Sequence, residues 1–170
     1  MQDAMTLRRI WRVVRRDAVC ACVWFTVFAL MMTSANAAAL MSCTIINTSG
    51  VNFGAYNPLD RASVDSTGSV SFRCTGVQAT DLVQVQLGRG SASSTIPRSM
   101  QYRAARLEYN LYLDAQRSLV WGDGTGGTSF YSRRPPEGVT VSLPVYGRIP
   151  AQQQVIAGPY TDLVVVTVLF

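Results

Sequence analysis

The sequence predicts an all-β fold, a two-sheet Greek-key sandwich, on three observations. Apolar residues recur with a period of two in one short segment after another, the pattern of half-buried strands. Turn residues punctuate those segments, and all 13 glycines lie beyond residue 49. No stretch sustains a 3.6-residue apolar period over three turns, so no amphipathic helix is expected.

The N-terminus stands apart from this pattern. Arg8, Arg9, Arg12, Arg15 and Arg16 form a basic region, followed by an apolar run of 15 residues over 18–32. Ala35-Asn36-Ala37 then offers small residues at both positions of a cleavage site. Residues 1–37 read as a cleavable export signal, because the apolar run is shorter than the roughly 20 residues that span a bilayer. An uncleaved anchor and twin-arginine export are the rival readings. Cleavage leaves one domain over 38–170, large enough for one core, with no stable membrane span.

Cleavage also changes the charge balance. The formal net charge of +5 falls to +2, with ten arginines against eight acids, because five arginines and two aspartates leave with the signal. The sequence has no lysine and its remaining arginines are scattered, which argues against a nucleic-acid partner. Cys20 and Cys22 are discarded with the signal, leaving Cys43 and Cys74 as an exported pair that oxidises. On the chain-entropy account, closing their loop contributes roughly 3–4 kcal/mol.

The expected strands follow in order. Residues 43–47 are a brief apolar strand, and 51–56 alternate strictly before the turn at Asn57-Pro58. Val70, Phe72 and Cys74 face inward in 69–74, and Val83, Val85 and Leu87 do so before Gly88. Leu107, Tyr109, Leu111 and Leu113 mark another strand, and 119–121 a short one, ended by the glycine-rich turn 122–127. Val139, Val141, Leu143 and Val145 mark the next, where Pro144 predicts a bulge or an edge for part of its length. Seven or eight such strands with one disulfide indicate an immunoglobulin-like sandwich. The disulfide departs from the antibody pattern, since Cys43 ties the first strand to a nearby later one.

The last segment breaks the alternation. Leu163, Val164, Val165, Val166, Thr167, Val168, Leu169 and Phe170 are apolar on nearly both faces. One face can fill the core, yet Leu163, Val165 and Leu169 lie on the other. A β-branched edge of this length is an aggregation hazard unless covered. Either loops of the chain cover it, or the domain takes a strand or surface from another chain.

Catalysis is not expected. Without histidine there is no Ser-His-Asp or Cys-His arrangement, and the carboxylates occur singly. The 123–127 loop is neither a P-loop nor a complete calcium loop. No enzyme activity, cofactor or metal is expected. Trp121, Tyr102, Tyr112, Tyr131 and Tyr146 offer aromatic surface, although most suit core or rim packing. Arg133-Arg134-Pro135-Pro136 reads as an exposed loop.

These residues, taken in order, resemble the spore coat protein U domain family, shared by secreted coat-like proteins and subunits of archaic chaperone–usher pili. The matching stretches are Cys43 with 51–58, 68–74, Arg98-Ser99-Met100 before 107–112, 120–124, 145–150, and 158–162 running into the terminal strand. The resemblance implies an immunoglobulin-like fold lacking its final strand. A periplasmic pilus chaperone supplies that strand, and a neighbouring pilus subunit replaces it at an outer-membrane usher. Residues 163–170 then resemble the last strand present, the acceptor edge. Only Ala38 to Ser42 precede Cys43 after cleavage, roughly 16–18 Å fully extended, too short to donate a strand. The expected role is a subunit that accepts without donating, as at a fibre tip. Two-domain tip adhesins also carry a pilin-like domain with no counterpart within these 170 residues. The alternatives are a stand-alone secreted coat-like protein, with a segment such as 128–138 covering the last edge, or a module binding a surface ligand.

Overall fold

The computed structural model describes residues 40–170, so the expected signal over 1–37 lies outside the described residues. The described residues form eight strands and no helix: β1 (Ser42–Ser49), β2 (Val64–Thr75), β3 (Val83–Leu87), β4 (Arg98–Tyr102), β5 (Ala105–Tyr112), β6 (Tyr131–Arg133), β7 (Thr140–Ile149) and β8 (Val166–Leu169). They build a five-stranded sheet in the order β1-β2-β7-β5-β4 and a three-stranded sheet in the order β6-β3-β8. Every pairing between these strands is antiparallel. The long connections place sequence-distant strands side by side, as β2 with β7 and β3 with β8.

Period-two alternation supplies the core. Val70, Phe72 and Cys74 of β2, Val83, Val85 and Leu87 of β3, Leu107, Tyr109 and Leu111 of β5, and Leu143, Val145 and Ile149 of β7 are buried together. Trp121 is fully buried among them, and its indole N–H donates to the Val85 carbonyl at 2.9 Å. An indole at 0% exposure with its one polar atom satisfied is core packing, not a contact surface. Arg98 is also at 0% exposure. Its guanidinium donates to the carbonyls of Gly88, Leu87 and Trp121 at 2.9, 3.2 and 2.6 Å, tying β4 to the end of β3. Burial lowers its pKa, and the surrounding acidic groups act against that shift.

Cys43 and Cys74 form a disulfide and stand directly opposite each other in the β1–β2 register. Pro144 sits in β7 opposite Ser69 of β2, in a register without a bulge. On its other side β5 pairs only with Tyr146 to Arg148, so β7 is an edge at Pro144 and the missing N–H breaks no ladder. The bulge lies in β1 instead, between Ile45 and Asn47.

Four elements differ from expectation. Residues 51–54 keep their alternation, with Val51 and Phe53 packed on the core, but after Gly54 (φ +70°) the parity breaks: Ala55 is exposed, Tyr56 packs inward, and the segment joins no ladder. Residues 119–121 contribute only isolated bridges, Val120 to Tyr112 and Trp121 to Ser129. β4 and β6 were not anticipated. β4 has no apolar alternation because its inward residue is the buried Arg98, and β6 has only three residues.

A candidate strand-acceptor groove

Among the described residues the two layers are unequal, five strands against three, and β8 is one edge of the smaller layer. β8 pairs with β3 along one edge and with no other strand among the described residues. The Val165 carbonyl accepts from the Gly88 N–H at 2.9 Å. By the alternation of an antiparallel ladder, residues 165, 167 and 169 direct their backbone groups toward β3. Residues 164, 166 and 168 direct theirs to the open edge. Side chains follow the same parity. Val164, Val166 and Val168 pack on the core, whereas Leu163 and Val165 are 82% and 64% exposed.

The unladdered segment 51–56 forms a second wall. It lies tight against the inner face of the five-stranded sheet because two inward positions there are glycines. A Cβ at Gly147 of β7 would sit 2.7 Å from both Phe53 and Val51. A Cβ at Gly68 of β2 would sit 2.5 Å from the Ser49 carbonyl and 3.0 Å from Val51. Phe53 also meets Tyr109 edge-on, with ring centres 5.9 Å apart.

Both walls line a groove of about 1010 Å³, floored by Val70, Leu111, Val145 and Ile149 and ended by the 155–160 loop. That volume is at the upper limit of ordinary small-molecule pockets, about 300–1,000 Å³. Asp162 is the one carboxylate in the lining, so the groove suits an apolar segment rather than a charged ligand. Its closed end is pinned by side chains. The Tyr56 hydroxyl donates to the Pro150 carbonyl at 3.0 Å and accepts from the Gln153 N–H at 2.8 Å. The Gln153 amide accepts from the Glu108 N–H at 2.7 Å and donates to the Glu108 carbonyl at 2.9 Å, in the manner of a ladder rung on β5.

Of the residues singled out from the sequence, Val164 and Val166 line this groove together with Leu163, and 166–169 form β8. Val165 is bonded to Gly88 ahead of the strand, and Phe170 is a largely exposed terminus. Cys43 and Cys74 staple β1 to β2 and are not part of the lining. Segment 128–138 does not cover the edge of β8: it supplies β6, which pairs with the far side of β3. Arg133 and Arg134 are exposed, although Pro135 beside them is buried. The 123–127 turn closes on itself, the Asp123 carboxylate accepting from the Thr125 N–H and hydroxyl at 2.9 and 2.7 Å. Those bonds hold Asp123 below the usual carboxylate range. Among the described residues no cluster of three His, Cys, Asp or Glu side chains forms a metal site.

Sequence reasoning missed the glycine contacts, Gln153, and the role of Asp162. The available signal was the inward parity of Gly68 and Gly147, where alternation calls for a core side chain and finds none.

Fold and groove define a β-sandwich whose smaller layer has β8 as an edge strand among the described residues. The family model of the Spore Coat Protein U domain matches residues 29–167. The chain is 34% identical to Protein U of Myxococcus xanthus over 144 residues, 76% of this chain and 78% of the relative. The chain belongs to the spore coat protein U domain family. Its fold is similar to that of a chain in the crystal structure of the CsuC–CsuE chaperone–tip adhesion subunit pre-assembly complex, from archaic chaperone–usher Csu pili of Acinetobacter baumannii. The TM-score is 0.53 at 23% identity, covering 77% of this chain and 40% of that one. The likeness is one of fold, and this chain spans two-fifths of the length of that one.

Proposed function

We propose that the domain is a non-enzymatic structural subunit of a surface pilus or related assembly, completed by a β-strand from another chain lying in the groove beside β8. The observation that carries this reading is the coincidence, among the described residues, of a free strand edge, an unladdered facing segment and a groove of about 1010 Å³ between them. An inserted strand would make backbone bonds with residues 164, 166 and 168 and bury alternate side chains over Val70 and Val145. Left empty, the groove leaves the backbone groups on the free edge of β8 to solvent.

Family membership and the fold likeness to a chain of a chaperone–subunit complex support a periplasmic chaperone as first donor and a neighbouring subunit as its replacement, at an outer-membrane usher. Export through the periplasm to the cell surface follows from the signal-like sequence 1–37. With cleavage after Ala37 the chain accepts a strand and donates none, which suits a position at or near a fibre tip.

The direct test is thermal unfolding of purified 38–170 with and without a synthetic peptide alternating Val or Ile with Thr. At 100 times its dissociation constant such a ligand adds about 2.7 kcal/mol, or roughly 10 °C in Tm for a domain of this size. An unchanged Tm at saturating peptide, together with no co-purification with the co-expressed chaperone, would contradict the proposal. A stand-alone secreted coat-like protein is the second reading, favoured by the match to 78% of the length of Protein U. It requires cooperative, high-Tm unfolding with no partner strand.

A further inference from the structure

The chain changes sheets at Asp162. Immediately before it, Thr161 exchanges backbone bonds with Gln101 of β4, at 2.8 and 3.1 Å, as an added rung on the five-stranded sheet. Three residues after it, Val165 is bonded to the end of β3 in the other sheet. The Asp162 carboxylate sits at this crossing and accepts from three donors. One oxygen accepts from the Ser91 N–H at 2.8 Å and the Leu163 N–H at 2.9 Å; the other accepts from the Tyr109 hydroxyl at 2.6 Å. The 88–91 loop closes on it through Gly90, which adopts φ +65° and where a Cβ would collide with the carboxylate. Tyr109 belongs to β5 and Ser91 follows β3, so one side chain measures the last segment against both layers.

We propose that Asp162 is the residue that sets the register of β8. A strand shifted by one residue turns every side chain to the opposite face, and residues 163–170 are apolar on both faces. Hydrophobic patterning alone therefore discriminates poorly between Val164-Val166-Val168 inward and Leu163-Val165-Leu169 inward. A fixed point at the strand's entrance resolves that ambiguity. Asp162 supplies it, and so decides which backbone groups meet an incoming strand. The register claim stands on the geometry around Asp162, and only its consequence for strand acceptance rests on the function proposed above.

Register is readable by cross-strand trapping. Gln86 and Thr167 are directly opposed, with their side chains on the outer face. The pair Gln86→Cys and Thr167→Cys is expected to form a disulfide readily in the otherwise intact domain. Adding Asp162→Ala is expected to cut that yield at least threefold. Yield should appear instead for Gln86→Cys with Val165→Cys or Leu169→Cys, the two-residue slips, or with Val166→Cys or Val168→Cys, the one-residue slips. Tyr109→Phe, which removes one of three donors, is expected to act in the same direction and less. A second trap, Ser71→Cys with Ser142→Cys across β2 and β7, reports general folding, since those side chains already meet at 3.1 Å. The proposal is overturned if Asp162→Ala leaves the 86–167 yield unchanged, or if both traps fall together. If the parent domain traps 86–167 yet captures no donor peptide, strand acceptance fails while the register assignment holds.

Discussion

At Gly147 a hydrogen in place of a methyl group decides where segment 51–56 can lie. Gly147→Ala puts a Cβ where Phe53 and Val51 already are, 2.7 Å away. Overpacking of this kind costs about 1–3 kcal/mol, measurable as a lowered urea midpoint. It also displaces one wall of the groove. Asp65 carries the pH dependence at this scale. Its carboxylate is bidentate to Arg148 at 2.7 and 2.8 Å and lies 3.3 Å from Arg117. The hydrogen bond from Arg148 is the largest cause holding its pKa below the ordinary 3.8, with the charges of Arg148 and Arg117 adding to it. A depressed carboxylate stabilises the fold fully above its unfolded pKa, and that contribution is lost as pH falls through the lower folded value. Stability is therefore expected to decline below pH 3.8, and Asp65→Asn to remove part of that decline in urea titrations across pH 2–5. The two side chains are still 37% and 35% exposed, so the pair's share is small and salt-sensitive. Neither residue was legible beforehand. A glycine at an inward position and an aspartate paired with an arginine 83 residues away become informative only when the register is known.

At the scale of elements, alternation reported faces well and partners poorly. β2, β3, β5 and β7 were legible because each has inward β-branched, leucine or aromatic residues between polar ones, and each found a neighbour. Segment 51–56 starts with the same alternation, and Val51 and Phe53 are where the pattern puts them, whereas Tyr56 packs inward against it. It lacks a ladder because a periodic pattern specifies which side is buried, not whether another backbone lies alongside. Of the bulge or edge expected at Pro144 the structure has the edge, since proline constrains the backbone itself. The last strand was legible as an anomaly, apolar on both faces. The parity that reaches the core depends on Asp162, two of whose three donors lie 71 and 53 residues earlier, beyond any local signal.

For the whole molecule, the disulfide and the groove work on opposite flanks of stability. The Cys43–Cys74 bridge fastens β1, an edge strand whose residues are mostly exposed, to β2. Replacing both cysteines by serine is expected to cost roughly 3–4 kcal/mol on the loop-entropy account, read as the loss in unfolding free energy. The central claim is that the smaller sheet awaits a strand from another chain, and single-amide hydrogen exchange tests it most directly. In free 38–170, the amides of Val164, Val166 and Val168 are predicted to exchange fast, while those of Thr167 and Leu169, bonded to β3, are protected. In the complex with a chaperone or donor peptide, the first set is predicted to become at least a hundredfold slower. Slow exchange at Val164, Val166 and Val168 in the free, monomeric domain would mean that the edge is already covered, and would contradict the account.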